Sequence, residues 1–177
     1  LEGPVQALRQ FLGQEETHKV GRQHEVDARY LDRIEALNFT IAHDDGQSLD
    51  TIDDAQVILT GASRTSKTPT CVYLAIRGIR AANVPLVPGV PAPRQLLQAR
   101  RPLVVGLWVS PDRLVQVRRN RLTSMGETRD SAYVELDAVR AEVAATRQLF
   151  ENQDWPMIDV SRRSIEETAA AVINMMT

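Results

Sequence analysis

Eight residues carry the chemistry most readily: Gly61-Ala62-Ser63-Arg64-Thr65-Ser66-Lys67-Thr68. They fit the phosphate-loop pattern G-x-x-x-x-G-K-[ST], with Ser66 standing where a glycine is usual. Gly61 lets a strand turn sharply. The loop N–H groups and the N-terminus of the next helix then form a nucleotide-binding cradle for phosphate. Lys67 brings a mobile charge to the outer phosphates, and the Thr68 hydroxyl suits Mg²⁺. Arg64 lies mid-loop, within reach of the same anion. Ser66 is tolerated if its backbone angles are not far into glycine-only territory. Pro69 falls just inside the helix start, where its missing N–H costs little. The bland alternative is a polar strand-to-helix turn.

Two further groups are candidates. Asp44 and Asp45 end a helix beside Gly46, where they could position an acceptor hydroxyl or bind Mg²⁺; a solvated acidic helix end is the alternative. Arg113, Arg118, Arg119 and Arg121 follow Ser110-Pro111 on a helix beyond an apolar strand. Phosphoryl transfer needs positive charge on the transferring group, and Arg118 is the member taken as catalytic. A solvated face is the alternative for any one of them. The loop after Ile158-Asp159-Val160 flanks the adenine only by fold analogy. His24 and His43 could move protons, but an exposed or core role is commoner. Cys71, Trp108 and Trp155 read as packing residues.

These residues need elements to hold them. Pro4–Leu12 has helical spacing, and Thr17–Gln23 reads as a turn. Val26, Tyr30, Ile34, Leu37 and Ile41 recur at helical spacing. The helix stops at His43-Asp44-Asp45-Gly46. Val57-Ile58-Leu59 and Leu103–Val109 are buried parallel strands by their apolar runs. Ala82–Val87 is another strand, with Pro85 arguing for an edge. Pro88–Pro93 is a rigid loop and Gly126–Asp130 another. Ala132–Phe150 is a long helix, and Met157–Val160 a last strand. Ser110 is expected to cap the arginine helix, and Ser164 with Glu167 a capping box for the final one. Strands alternating with helices predict an α/β fold, a mainly parallel sheet covered by helices. A helical lead-in (1–54) precedes the α/β domain (55–177).

The 177 residues are 43% hydrophobic and 25% charged, an ordinary globular profile. One cysteine excludes an internal disulfide, and three histidines beside it argue against structural zinc. No apolar run suits a membrane, no secretory signal opens the chain, and nothing resembles a groove-reading nucleic-acid module. A cytoplasmic setting is therefore expected. Charge is uneven: −7 over 1–54, +10 over 55–129 and −5 over 130–177. So basic a central block suggests a polyanion site, unless it simply pairs with the acidic flanks.

Longer motifs carry a resemblance. Ile41-Ala42-His43-Asp44-Asp45-Gly46, Gly61–Pro69, Ala82-Asn83-Val84-Pro85-Leu86-Val87-Pro88-Gly89-Val90, Ser110-Pro111-Asp112-Arg113-Leu114 and Ile165-Glu166-Glu167-Thr168-Ala169 resemble the pyruvate, phosphate dikinase regulatory proteins. The related phosphoenolpyruvate synthase regulators share the architecture. The resemblance implies a bifunctional serine/threonine protein kinase and phosphorylase. It would use ADP to phosphorylate a threonine of the dikinase beside its catalytic histidine. It would use inorganic phosphate to remove that group as pyrophosphate. Gly61–Thr68 would then be the ADP site, and the partner pyruvate, phosphate dikinase or phosphoenolpyruvate synthase. It also implies an additional N-terminal region not included here, as the opening at Leu1 agrees. A homodimer is compatible with the sequence. Competing functions are a small-molecule kinase of the nucleotide-kinase type and a non-catalytic nucleotide sensor.

Overall fold

The computed structural model describes residues 28–125 and 132–177. The predicted helix Pro4–Leu12, the Thr17–Gln23 turn, the Gly126–Asp130 loop and His24 lie outside them. Helix α1 (Ala28–Ala42) leads through a turn and a 3-10 helix (Leu49–Asp54) into β1 (Val57–Gly61) and α2 (Lys67–Ile76). Strand β2 (Ala81–Pro85), the short α3 (Arg94–Gln98) and β3 (Leu103–Trp108) follow. Helices α4 (Pro111–Ser124) and α5 (Leu136–Asn152), strand β4 (Met157–Asp159) and α6 (Ile165–Met176) complete the chain.

The four strands form one sheet in the order β2-β1-β3-β4, every pair parallel. Leu59 lies opposite Asn83 and Val105, and Gly106 opposite Met157. Parallel strands are buried on both faces, which is why β1 and β3 read as unbroken apolar runs. Alternate residues feed two cores. Val57, Leu59, Val105 and Leu107 pack with Leu74 of α2, Leu114 of α4, Val139 and Val143 of α5 and Val172 of α6. Ile58, Val84 and Val104 pack with Ile52 and Leu96 on the opposite face. Gly106 is small because Phe150 of α5 lies on it: a Cβ there would come within 2.4 Å of the ring.

The expected elements form among the described residues, with four differences. The long helix expected from Ala132 begins at Leu136. The buried face of α1 is not its apolar stripe. Tyr30 and Ile41 are 57% and 69% exposed, while Ala36, Thr40 and His43 are buried. The buried stripe is small and polar because α1 lies close against β2, where the Thr40 hydroxyl donates to the Ala81 carbonyl at 2.8 Å. Ser110 precedes α4 without a side-chain cap bond; its N–H donates instead to Ser161 Oγ at 2.8 Å, joining the ends of β3 and β4. Helix α3, too short to show a helical period, was not anticipated. Ser164 and Glu167 form the expected capping box.

The open edge of β2 is where the two sequence segments meet. The Asn83 N–H donates to the His43 carbonyl at 3.0 Å, and the Gly46 N–H donates to the Asn83 carbonyl at 2.8 Å. These bonds use up strand-edge groups and carry the turn after α1 to the C-terminal ends of the strands.

Candidate functional site

Gly61 ends β1 with φ +147°, and a Cβ there would stand 2.2 Å from the Leu107 carbonyl oxygen. Only glycine passes so close to β3. The loop then folds on itself: the hydroxyl of Thr65 and the ammonium of Lys67 both donate to the Ala62 carbonyl, at 3.0 and 2.7 Å. Arg64 and Ser66 take left-handed angles, φ +73° and +59°. Ser66 thus adopts a conformation that favours glycine but admits other residues at modest cost. It immediately precedes α2, whose first N–H groups are left without helical partners.

A cavity of about 490 Å³ opens at this point, lined by Ser63, Arg64, Ser66, Lys67, Thr68, Pro69, Asn83, Pro85, Val117 and the carboxylates of Asp44 and Asp45. The acidic turn and the Gly61–Thr68 loop, about twenty residues apart in sequence, therefore share one cavity. Thr68 Oγ1 donates to Asp44 Oδ1 at 3.0 Å, and Asn83 Nδ2 donates to the same oxygen at 2.7 Å and to Thr68 Oγ1 at 3.0 Å. Asp45, exposed and with φ +52°, faces the cavity and makes no side-chain hydrogen bond among the described residues.

Lys67 is 6% exposed. Burial holds its ammonium down to a pKa of about 8, and the Arg118 charge adds to the drop, while Asp45 and Asp44 oppose it. The lysine thus carries a buried charge that an arriving anion would stabilise. Cys71, one turn into α2, is fully buried, bonded through its thiol to the Ala82 carbonyl, and pushed far up by burial. It is a packing residue, as expected, and no nucleophile.

The arginine helix is arranged differently from a set of phosphate ligands. Arg118 is 1% exposed and paired with both Glu142 oxygens at 2.7 and 2.8 Å. It also donates to the Ser63 carbonyl at 3.3 Å and the Tyr133 carbonyl at 3.1 Å, with the Tyr133 ring against its guanidinium. It braces the loop from behind and does not line the cavity. Arg113, Arg119 and Arg121 are exposed, and Arg113 is bonded to Gln116. Arg64 is the arginine that lines the cavity. His43 is buried, stacked on Phe39 and bonded to Thr51 and the Phe39 carbonyl, a structural role. Trp108 carries Arg147 on its ring, and Trp155 packs against Phe150. Asn83 was assigned no role from sequence. The signal for it was present: one amide amid the small and apolar residues of a buried strand.

Thr68 and Asp44 are hard oxygen donors, and Mg²⁺ is commonly held by one or two carboxylates together with substrate phosphates. The residues therefore fit a nucleotide-bound Mg²⁺. Among the described residues no group of three or more His, Cys, Asp or Glu side chains could hold a metal alone. No described helix is long and apolar enough to cross a membrane.

A family model described as kinase/pyrophosphorylase matches residues 1–173. The chain is 58% identical over its whole length to a protein of Caulobacter vibrioides, of which it covers 56%. It is 55% identical over 98% of its length to one of Bradyrhizobium diazoefficiens and 52% identical over 99% to one of Sphingopyxis alaskensis, covering 63% and 65% of them. All three carry the name pyruvate, phosphate dikinase regulatory protein. The chain thus spans less than two thirds of these relatives, yet nearly all of it matches. The Gly61–Thr68 loop facing two carboxylates agrees with that match, and the chain belongs to the kinase/pyrophosphorylase family.

Proposed function

We propose that the cavity is the phosphoryl-transfer site of a bifunctional regulator of pyruvate, phosphate dikinase. ADP would phosphorylate a threonine of that enzyme, and inorganic phosphate would remove the group as pyrophosphate. The observation that carries this is the juxtaposition of Lys67 and Thr68 with Asp44 and Asp45 in one cavity. In the forward direction the threonine oxygen bonds to the β-phosphorus of ADP, the bridging P–O bond breaks, and AMP leaves. In the reverse direction a phosphate oxygen bonds to the phosphothreonine phosphorus, and the bond to the threonine oxygen breaks.

Each residue has a task. The Gly61–Thr68 loop cradles the phosphates, and Lys67 and Arg64 balance their charge. Asp45, with its carboxylate free, accepts the threonine proton in one direction and returns it in the other. Asp44 and Thr68 would hold Mg²⁺, which would neutralise phosphate charge when bound. Arg118 supports the Ser63 end of the loop as a positioning residue. One set of positive groups serves both directions, because such transfer rests mainly on positioning and electrostatics.

The test is to incubate the full-length protein with ADP and pyruvate, phosphate dikinase, in parallel with phosphoenolpyruvate synthase, and locate the phosphate by mass spectrometry. Phosphothreonine on the dikinase, removed again by added phosphate with release of pyrophosphate, is the expected result. Transfer to a free metabolite, or binding with no transfer, would overturn it.

A further inference from the structure

Asn83 occupies a position that packing does not explain. It lies mid-strand in β2 between Ala82 and Val84, opposite Leu59 of β1, and is only 3% exposed. Its Oδ1 is buried without a partner. Such an atom costs stability, and an apolar residue would avoid that cost. What the amide accomplishes lies at its nitrogen. Nδ2 donates to Asp44 Oδ1 at 2.7 Å and to Thr68 Oγ1 at 3.0 Å, while Thr68 donates to Asp44 at 3.0 Å. The amide orientation follows from chemistry, since the reverse would set two acceptors face to face at that distance. The backbone of the same residue binds His43 and Gly46, on either side of the two aspartates.

We propose that Asn83 is a positioning residue for phosphoryl transfer, registering the acidic turn against the phosphate loop and aiming the Thr68 hydroxyl and the Asp44 carboxylate into the cavity. The proposal rests on the functional reading above. Thr68 spends its proton on Asp44 and one lone pair on Asn83, so its other lone pair is directed by these two bonds. Asp44 keeps Oδ2 for a ligand. Two N–H donors on one atom are needed to hold both oxygens at once. Asparagine has them; serine or a protonated aspartic acid has one; an ionised aspartate has none.

The experiment uses full-length wild type, Asn83→Ser and Asn83→Asp, measuring kcat and KM for ADP across pH together with thermal unfolding without nucleotide. Asn83→Ser should lower kcat by about tenfold or more, with KM for ADP changed by less than about threefold. Asn83→Asp replaces both N–H donors and sets a second carboxylate within hydrogen-bond reach of Asp44. Its transfer should fall at least as far as that of Asn83→Ser at every pH, because neither form of the new carboxyl has two donors. An Asn83→Asp profile that overlays wild type overturns the proposal. So does a kcat loss in Asn83→Ser matched at every pH by loss of folded protein. If wild type itself transfers nothing, the functional reading falls and the reaction role with it, a result readily told apart from silent variants.

Discussion

Lys67 illustrates how much the environment of one side chain decides. With its pKa held near 8 by burial, the ammonium is charged below that pH and loses its charge above it. Anion binding raises that pKa, so ADP or phosphate affinity should fall by up to about tenfold per unit once the pH exceeds about 8. Isothermal titration from pH 7 to 9.5 in buffers of different ionisation enthalpy should show proton uptake on binding in that range. For stability the sign is opposite: between about 8 and 10.5 the unfolded chain holds the extra proton, so the lysine's burial penalty is relieved as pH rises. Lys67→Ala should therefore abolish ADP binding while leaving the apo fold intact, and unchanged ADP affinity would remove Gly61–Thr68 as the site. Gly61→Ala should behave otherwise. Its Cβ meets the Leu107 carbonyl at 2.2 Å, so a loss of about 3 kcal/mol or more in chemical denaturation is expected, together with loss of binding.

At the scale of elements, the brace between α4 and α5 is the point to test. Arg118 and Glu142 form a buried ion pair that also reaches the Ser63 carbonyl. Removing one partner leaves a buried charge unpaired, so Arg118→Met should destabilise by about 3–5 kcal/mol. Replacing both, Arg118→Met with Glu142→Leu, should recover most of that stability. It should not recover transfer, because the Ser63 end of the loop stays unbraced. Urea denaturation and transfer assays on the single and double variants separate the two effects. A double variant with full transfer would restrict the brace to stability.

For the whole molecule, the central question is whether the two proposed reactions share one site. Among the described residues one cavity unites Lys67, Thr68, Asp44 and Asp45. Lys67→Ala and Thr68→Ala are therefore expected to reduce ADP-dependent transfer and phosphate-dependent removal together, and ADP should compete with removal. Assaying both directions in the full-length protein decides it. Removal that continues near normally in Lys67→Ala would require a second site. The +10 block agrees with one anion site, and a sulfate-grown crystal should carry sulfate on the loop N–H groups.

The α/β alternation, the parallel strands and the Gly61–Thr68 loop follow from local pattern: unbroken apolar runs, glycine at the turn, Lys-Thr at the helix start. These depend on neighbours a few residues apart, so sequence alone determined them. Other features did not. Asp44 meets Thr68, and Asp45 the same cavity, only because the turn after α1 docks on the open edge of β2, a contact between residues some forty positions apart. Arg118 reads as one of four equivalent helix arginines until α5 brings Glu142 beneath it. The buried face of α1 was not legible for the same reason. Periodicity records which residues are apolar, whereas burial depends on how close the partner lies, and here Ala36 and Thr40 admit β2 where Tyr30 and Ile41 do not. Asn83 binds both halves of the site through an amide whose meaning appears only once its neighbours across space are known.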